Sequence, residues 1–362
     1  MRSPDAMVLR PVPRDHAPVR RRTGWAASAA ALAVVLAGCG GASPARATAD
    51  RPVLFPVTFI NVVPIQSLTY TPEMIADITG LFEREGLRVE FQYVQGSAGA
   101  IQNVLGGTGL VTRIGDSEAM AAIGGRGDAV TAVAQPSQRS TLRVVSLADD
   151  PVRTPADLRG RVVGLASLGG ASEALVDTLA AAGGVAESDV RKQTVALGPG
   201  VLDNVRNGRV DAYVDTMDNA ILLQQQEPDA VVLDPFDSTA SGTQMYIASQ
   251  RALADPARRD AVARYLRAIR AAMQTVIEDE SLDRTLEQLG THYDIPILGQ
   301  PELAKATLRD YIASWQANGD LLRTVPERWE RIYDESARVG LVPAGLEPAD
   351  WFTNDLLTTT PS

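Results

Sequence analysis

The chain is predicted to fold as an α/β protein with two lobes. Apolar, strand-like runs alternate with helix-like segments at the spacing of parallel β-α-β units. The alternation occurs in two sets, the second beginning near Gly160. Setting aside an N-terminal leader of 38 residues leaves 324, more than one core usually holds.

The leader comes first in chain order. Arg20, Arg21 and Arg22 form a positive n-region, and Ala26 to Leu36 is an apolar run too short to span a bilayer. It is followed by Leu36-Ala37-Gly38-Cys39, which holds the chain's sole cysteine. The tetrad resembles a lipobox, which makes residues 1–38 a signal peptide and Cys39 the lipidated residue of an exported, membrane-anchored protein. The plainer alternative is a secretory signal cut at Ala45-Arg46-Ala47 or Ala47-Thr48-Ala49. Arg21-Arg22 also admits a twin-arginine reading, although Thr23 and Gly24 fit it poorly. Residues 39–52 are small, polar and Pro-containing, and read as a flexible tether.

Structure is expected from Val53. Val53 to Ile60 reads as a buried strand, and Met74 to Arg84 as a helix with Ile75, Ile78 and Phe82 on one face, stopped at Gly86. Leu87, Val89, Phe91 and Tyr93 alternate with Arg88, Glu90 and Gln92, as in a strand with one wet face. Helix 98–105, strand 110–114, helix 117–123 and strand 129–134 complete the first set.

In the second set, Val162 to Ala166 is continuously apolar, as in a strand covered on both faces. Helix 172–182, strand 193–197, helix 201–207, strand 211–215, helix 219–226 and strand 230–233 follow. Two extended stretches without helical pattern, 142–147 and 243–249, flank this set and are expected to act as hinges. From Asp255, an N-cap followed by Pro256, the chain turns helical. Val262, Leu266, Ile269, Met273 and Val276 form its inward stripe, and Arg264, Arg267 and Arg270 are expected on a solvated face.

Charge narrows the function classes. The precursor's 34 basic and 44 acidic residues lose six arginines and two aspartates with the leader, so the mature chain carries a net charge of −14. An acidic balance without a basic cluster argues against nucleic acid as a partner. A lipidated Cys39 leaves no disulfide or cysteine-ligated metal, and His292 is the one histidine beyond the leader, so neither a cofactor nor a metal is expected. A monomer is expected.

Residues 70–109 contain Ala76, Gly80, Phe82, Gly86, Leu87 and Val89, followed by a small-residue turn and a helix. With Pro155 to Arg161 before Val162-Val163-Gly164, then Asn207-Gly208-Arg209-Val210-Asp211-Ala212 and the tail Trp329 to Leu356, this order resembles the solute-binding proteins of thiamine-precursor, sulfonate, taurine and nitrate importers. The likeness covers about residues 57–357. It implies a type II periplasmic-binding fold, with residues 53–141 plus 248–357 as lobe one, 146–242 as lobe two and a ligand cleft between them. It also implies ABC permease subunits as partners. Enzymes on the same fold that form a pyrimidine, or act as dehydratases, are the alternative. The pyrimidine-forming ones need histidine and a cysteine-rich motif, whereas this mature chain has His292 alone and no free thiol; a sensory lipoprotein is a further alternative.

Five strand-to-helix turns supply the candidate ligand groups, because parallel strands end where helices expose unpaired N–H groups. They are Asn61, Gln66, Ser67 and Tyr70, the last able to stack on a flat ligand; Ser97; Asp116 and Ser117; Ser167, Gly170 and Ser172; and Asp215, Thr216 and Asp218. Gln244 in the second extended stretch joins them. Each polar residue among them also suits helix capping. The turns hold carboxylates but no Lys or Arg, with Arg113 set back on its strand. A neutral or weakly basic small molecule is therefore expected, a heterocycle such as a thiamine pyrimidine precursor, with sulfonate, nitrate or taurine as the alternative.

Overall fold

The computed structural model describes residues 53–195, 200–236 and 238–357. The signal peptide, Cys39, the tether and the end of the strand expected at 193–197 lie outside the described residues.

Ten strands form two five-stranded sheets. In chain order they are β1 (Phe55–Asn61), β2 (Leu87–Tyr93), β3 (Val111–Gly115), β4 (Val130–Ser137), β5 (Leu142–Leu147), β6 (Val162–Leu165), β7 (Arg191–Thr194), β8 (Ala212–Thr216), β9 (Ala230–Leu233) and β10 (Gln244–Ser249). The sheet orders are β2-β1-β3-β10-β4 and β7-β6-β8-β5-β9. The longer helices are α1 (Thr71–Ile78), α2 (Leu81–Arg84), α3 (Gly96–Gly106), α4 (Asp116–Met120), α5 (Ala171–Ala182), α6 (Val201–Arg206), α7 (Met217–Gln226), α8 (Gln250–Ala254), α9 (Pro256–Ile277), α10 (Asp283–His292), α11 (Pro301–Gln316) and α12 (Pro326–Arg338). This is the two-lobed periplasmic-binding architecture, and both sheets belong to one compact unit.

The sheets are mixed rather than purely parallel. β10 runs antiparallel to β3 and β4, and β5 antiparallel to β8 and β9, while the remaining pairs are parallel. β5 and β10 are the two stretches read as hinges. Each enters its sheet directly from the other lobe, with no crossover helix to reverse its direction, so it opposes its neighbours. The chain passes between the sheets just before each of them, at 138–141 and, among the described residues, 234–236 and 238–243.

Both crossings are held by side chains. The N–H groups of Gln138 and Arg139 both donate to Ser314 Oγ on α11, at 3.0 Å. In the second crossing, Glu335 of α12 accepts from the N–H groups of Ala240 and Ser241 and from the hydroxyls of Thr239 and Ser241, at 2.6–3.0 Å.

Local chemistry explains two departures from the expected helices. The helix read at 74–84 is two helices, α1 and α2, because Gly80 adopts φ 68°, a left-handed conformation that breaks the ladder. α9 begins as read, with the Asp255 carboxylate accepting the Arg258 N–H at 3.0 Å and Pro256 in first position. Its stripe of Val262, Leu266, Ile269, Met273 and Val276 is buried, each side chain worth about 2 kcal/mol of transfer free energy. The three arginines do not form a free solvated face. Arg264 donates to the Glu85 carbonyl, Arg267 pairs with the Glu85 carboxylate at 2.8 Å and Arg270 with Asp320 at 2.9 Å. α9 lies across α2 and a later turn, close enough for these long side chains to reach across.

Candidate ligand-binding cleft

The carboxyl ends of β1, β3, β6 and β8 meet where the two crossings pass, and a cleft of about 680 Å³, its open mouth included, lies among them. Its walls carry Thr69, Ser97, Thr141, Ser167, Ser172, Asp215, Thr216, Thr243 and Gln244 between apolar patches of Val62, Val63, Leu142 and Val214. Four of the five candidate turns line this space; the Asp116-Ser117 turn does not.

Ser97, Ser167, Ser172, Thr216 and Gln244 line the cleft. Gln244 Oε1 accepts from the Thr69 hydroxyl at 3.3 Å. Gln66 and Ser67 line an adjoining chamber with Asp215 and Thr216. Ser117 and Gly170 face a separate opening on the far side of the contact between lobes. Asn61 is buried below the first turn, where its Nδ2 donates to the Val63 carbonyl at 2.8 Å and shapes the loop.

Two expectations are corrected. Tyr70 does not stack on a ligand: it is fully buried, edge-on to Phe59 and under the Arg113 guanidinium, with its hydroxyl accepting the Val62 N–H at 3.2 Å. The single turn of helix after Ser67 rotates the ring away from the cleft and into the core. Asp116 is likewise turned inward. Its carboxylate accepts from the N–H groups of Ser117, Gly242 and Thr243 and from the Thr243 hydroxyl, at 2.6–3.1 Å, and so fastens the second crossing to α4. Burial pushes its pKa up while these donors pull it down.

Asp218 serves a similar purpose between the lobes. It accepts from Ser67 Oγ at 3.0 Å and the Leu68 N–H at 3.1 Å, joining α7 to the first turn. Gln95 Nε2 donates to the Ala166 carbonyl at 3.3 Å, a second link between the lobes. Gly96 sits beside it with φ 76°, and a Cβ there would lie 2.7 Å from Ser167 Oγ of the other lobe. Only glycine meets both demands.

The charged groups nearest the cleft are an internally paired arginine and carboxylates. Arg113 is buried on β3, paired with Glu73 at 3.0 Å and bonded to Thr69, and the Tyr246 hydroxyl donates to Glu73 at 2.6 Å. Its charge is spent inside the core. Asp215 lines the cleft, and its Oδ1 accepts from the Thr216 N–H at 2.8 Å and Asn219 Nδ2 at 3.1 Å. Burial raises its pKa to about 6 against those two donors, and neighbouring Asp218 adds to the rise. Thr216 Oγ1 is buried without a hydrogen-bond partner.

Glu118 was not among the sequence candidates. It projects from α4 onto the start of α5 in the other lobe, with both oxygens sealed from solvent. Burial raises its pKa to about 7; the Ser97 hydroxyl lowers it, Asp116 raises it, and the N–H groups of Gly115 and Ala171 lower it. An acid in the first turn of a helix normally reads as a dipole partner of its own helix, which conceals this role. His292 is the exposed last residue of α10, with Nδ1 2.9 Å from the Gln288 carbonyl.

Comparison with known proteins places this geometry. A family model described as NMT1/THI5 like matches residues 68–281. The fold is similar to that of the alkanesulfonate-binding protein SsuA from Xanthomonas axonopodis pv. citri bound to MOPS, with 17% identity, a TM-score of 0.60 and coverage of 84% of this chain and 100% of that one. It is also similar to the periplasmic nitrate-binding protein NrtA from Synechocystis PCC 6803, with 16% identity, a TM-score of 0.60 and coverage of 85% and 88%. A protein from Bordetella bronchiseptica RB50 shares 21% identity over 83% of this chain and 95% of its own, with a TM-score of 0.64. No curated protein sequence matches the chain.

Proposed function

Since the chain belongs to the NMT1/THI5-like family, we propose that it is the extracytoplasmic solute-binding component of an ABC importer, tethered to the membrane through Cys39. Its ligand is a neutral or weakly basic heterocycle, such as a thiamine pyrimidine precursor, enclosed between the lobes and handed to a permease. Among the described residues no helix is long and apolar enough to cross a membrane, in keeping with a lipid tether as the attachment.

The observation that carries the choice of ligand is the charge of the cleft. Its lining contains Asp215 and no Lys or Arg. Helix N-termini are the other usual holders of anions, and here protein carboxylates already occupy three of them. Asp116 binds the N–H of Ser117 on α4, Glu118 abuts the start of α5, and Asp215 binds the N–H that precedes α7. A sulfonate or nitrate would find a protein acid already standing at each. An aminopyrimidine instead offers N–H donors to Asp215 and accepts from the serine and threonine hydroxyls around it; a charge-assisted bond of that kind contributes about 1.5–3 kcal/mol.

The ligand shifts the lobes toward closure only by binding the closed form more tightly. A thermal-shift screen of the mature protein against the aminopyrimidine half of thiamine, ethanesulfonate, taurine and nitrate tests the reading. At a hundred times its dissociation constant a ligand adds about 2.7 kcal/mol, a shift of several degrees. A shift with the pyrimidine and none with the anions is expected. The reverse pattern overturns the assignment of ligand and leaves the transport role standing.

A further inference from the structure

The cleft does not end at Asp215. A second chamber of about 1140 Å³, open mouth included, adjoins it, and Val63, Asp215 and Thr216 line both. The outer chamber runs between the first turn and α7. Leu222, Leu223, Pro64 and Pro296 give it apolar walls, while Gln66 and Asn219 supply amides and Asp294 stands at the edge. No Lys or Arg lines it.

Two groups at the junction have bonding capacity left over. Asp215 directs Oδ1 to its two donors, and among the described residues no donor is bonded to Oδ2. Thr216 Oγ1 is buried and unpartnered, in a residue 6% exposed. A buried hydroxyl without a partner is costly unless something else satisfies it. Both groups sit where a molecule passing from one chamber to the other would cross.

We propose that the ligand is a two-part molecule, which rests on the reading above that the inner cleft holds a small heterocycle. The ring occupies the inner chamber, a nitrogen carrying N–H lies at Asp215 and Thr216, and an apolar extension runs outward over Leu222 and Leu223. The single-ring pyrimidine is then only the head of the preferred ligand. The acidic and amide lining of the outer chamber also fixes the sign: a basic linker is accepted and an anionic extension is not.

The test compares two probes by isothermal titration: the aminomethyl form of the thiamine pyrimidine and its N-benzyl derivative. The benzyl compound should bind at least about tenfold more tightly to the wild-type protein. Leu223→Trp, which fills the outer chamber, should erase that gain and leave the affinity for the unextended probe within about twofold. Gln226→Trp at the chamber's rim repeats the test from an exposed position, in case the first variant folds poorly. If the unextended probe binds and the benzyl compound binds no better, the outer chamber is not a subsite and the inner reading survives. A gain that both tryptophans leave intact also overturns the inference, because the extension then lies elsewhere. If neither probe binds, the heterocycle reading fails and takes this inference with it.

Discussion

Replacing Glu118 with glutamine should remove a pH dependence that the wild-type protein shows between about pH 4.5 and 7. The carboxyl is sealed between α4 and the start of α5, and burial, the largest cause, raises its pKa from 4.5 to about 7. Asp116 on its own helix adds to the rise, and Glu173 of α5 and Arg126 beyond α4 share the opening beside it. A carboxyl with a raised pKa in the closed protein is best tolerated when protonated. The contribution of Glu118 to folding stability is therefore highest below pH 4.5, falls as pH rises toward 7 and is flat above. Each tenfold difference in proton affinity between folded and unfolded chain is worth about 1.4 kcal/mol, so the loss across that window is on the order of 3 kcal/mol. Glutamine keeps the shape and one acceptor but cannot ionise. Urea denaturation of the mature protein at pH 5 and pH 8 measures the effect. Relative to its own stability at pH 5, the wild type should lose about 2.5 kcal/mol more than Glu118→Gln by pH 8, with the variant melting about 5 °C higher at pH 8. Asp215 and the other carboxylates titrate in both proteins, so the difference isolates Glu118. Parallel pH profiles would refute the burial argument.

Asp215→Asn should weaken binding of the aminopyrimidine at least about tenfold, through loss of a charge-assisted hydrogen bond, while its melting temperature stays within a few degrees of wild type; calorimetry reads the first and fluorimetry the second. Gly96→Ala places a methyl against Ser167 in a left-handed backbone at a cost of about 1–2 kcal/mol, so affinity should fall, and Ser167→Gly in the same chain should recover part of it. Asp116→Ala leaves the N–H groups of Gly242 and Thr243 without their acceptor, and denaturation should show a loss of about 3 kcal/mol. Tyr70→Phe removes only the hydroxyl bonded to the Val62 N–H, so stability should drop by about 1 kcal/mol with affinity unchanged; a large loss of binding would return Tyr70 to the cleft.

What the sequence revealed and what it hid divide along the range of the forces involved. The strand at 87–93 and the cap at Asp255 were legible because alternation and capping are written in neighbouring residues. The antiparallel entry of β5 and β10 was not, since strand direction depends on which lobe the chain has just left. The same limit governs the site. Ser97, Ser172 and Thr216 could be found as polar residues at strand-to-helix turns, but the turn alone cannot say which way a side chain faces. Asp116 opens α4 and Asp215 is the penultimate residue of β8, and each bonds the next N–H at a strand-to-helix turn. The difference lies far away in sequence: Gly242 and Thr243 come within reach of Asp116 and consume its oxygens, whereas β5, which pairs alongside Asp215, brings it no hydrogen-bond donor among the described residues. A carboxylate becomes available to a ligand here when the fold leaves it short of donors. Counting donors around each buried acid, a three-dimensional property, separates the fastener from the receptor where residue type does not.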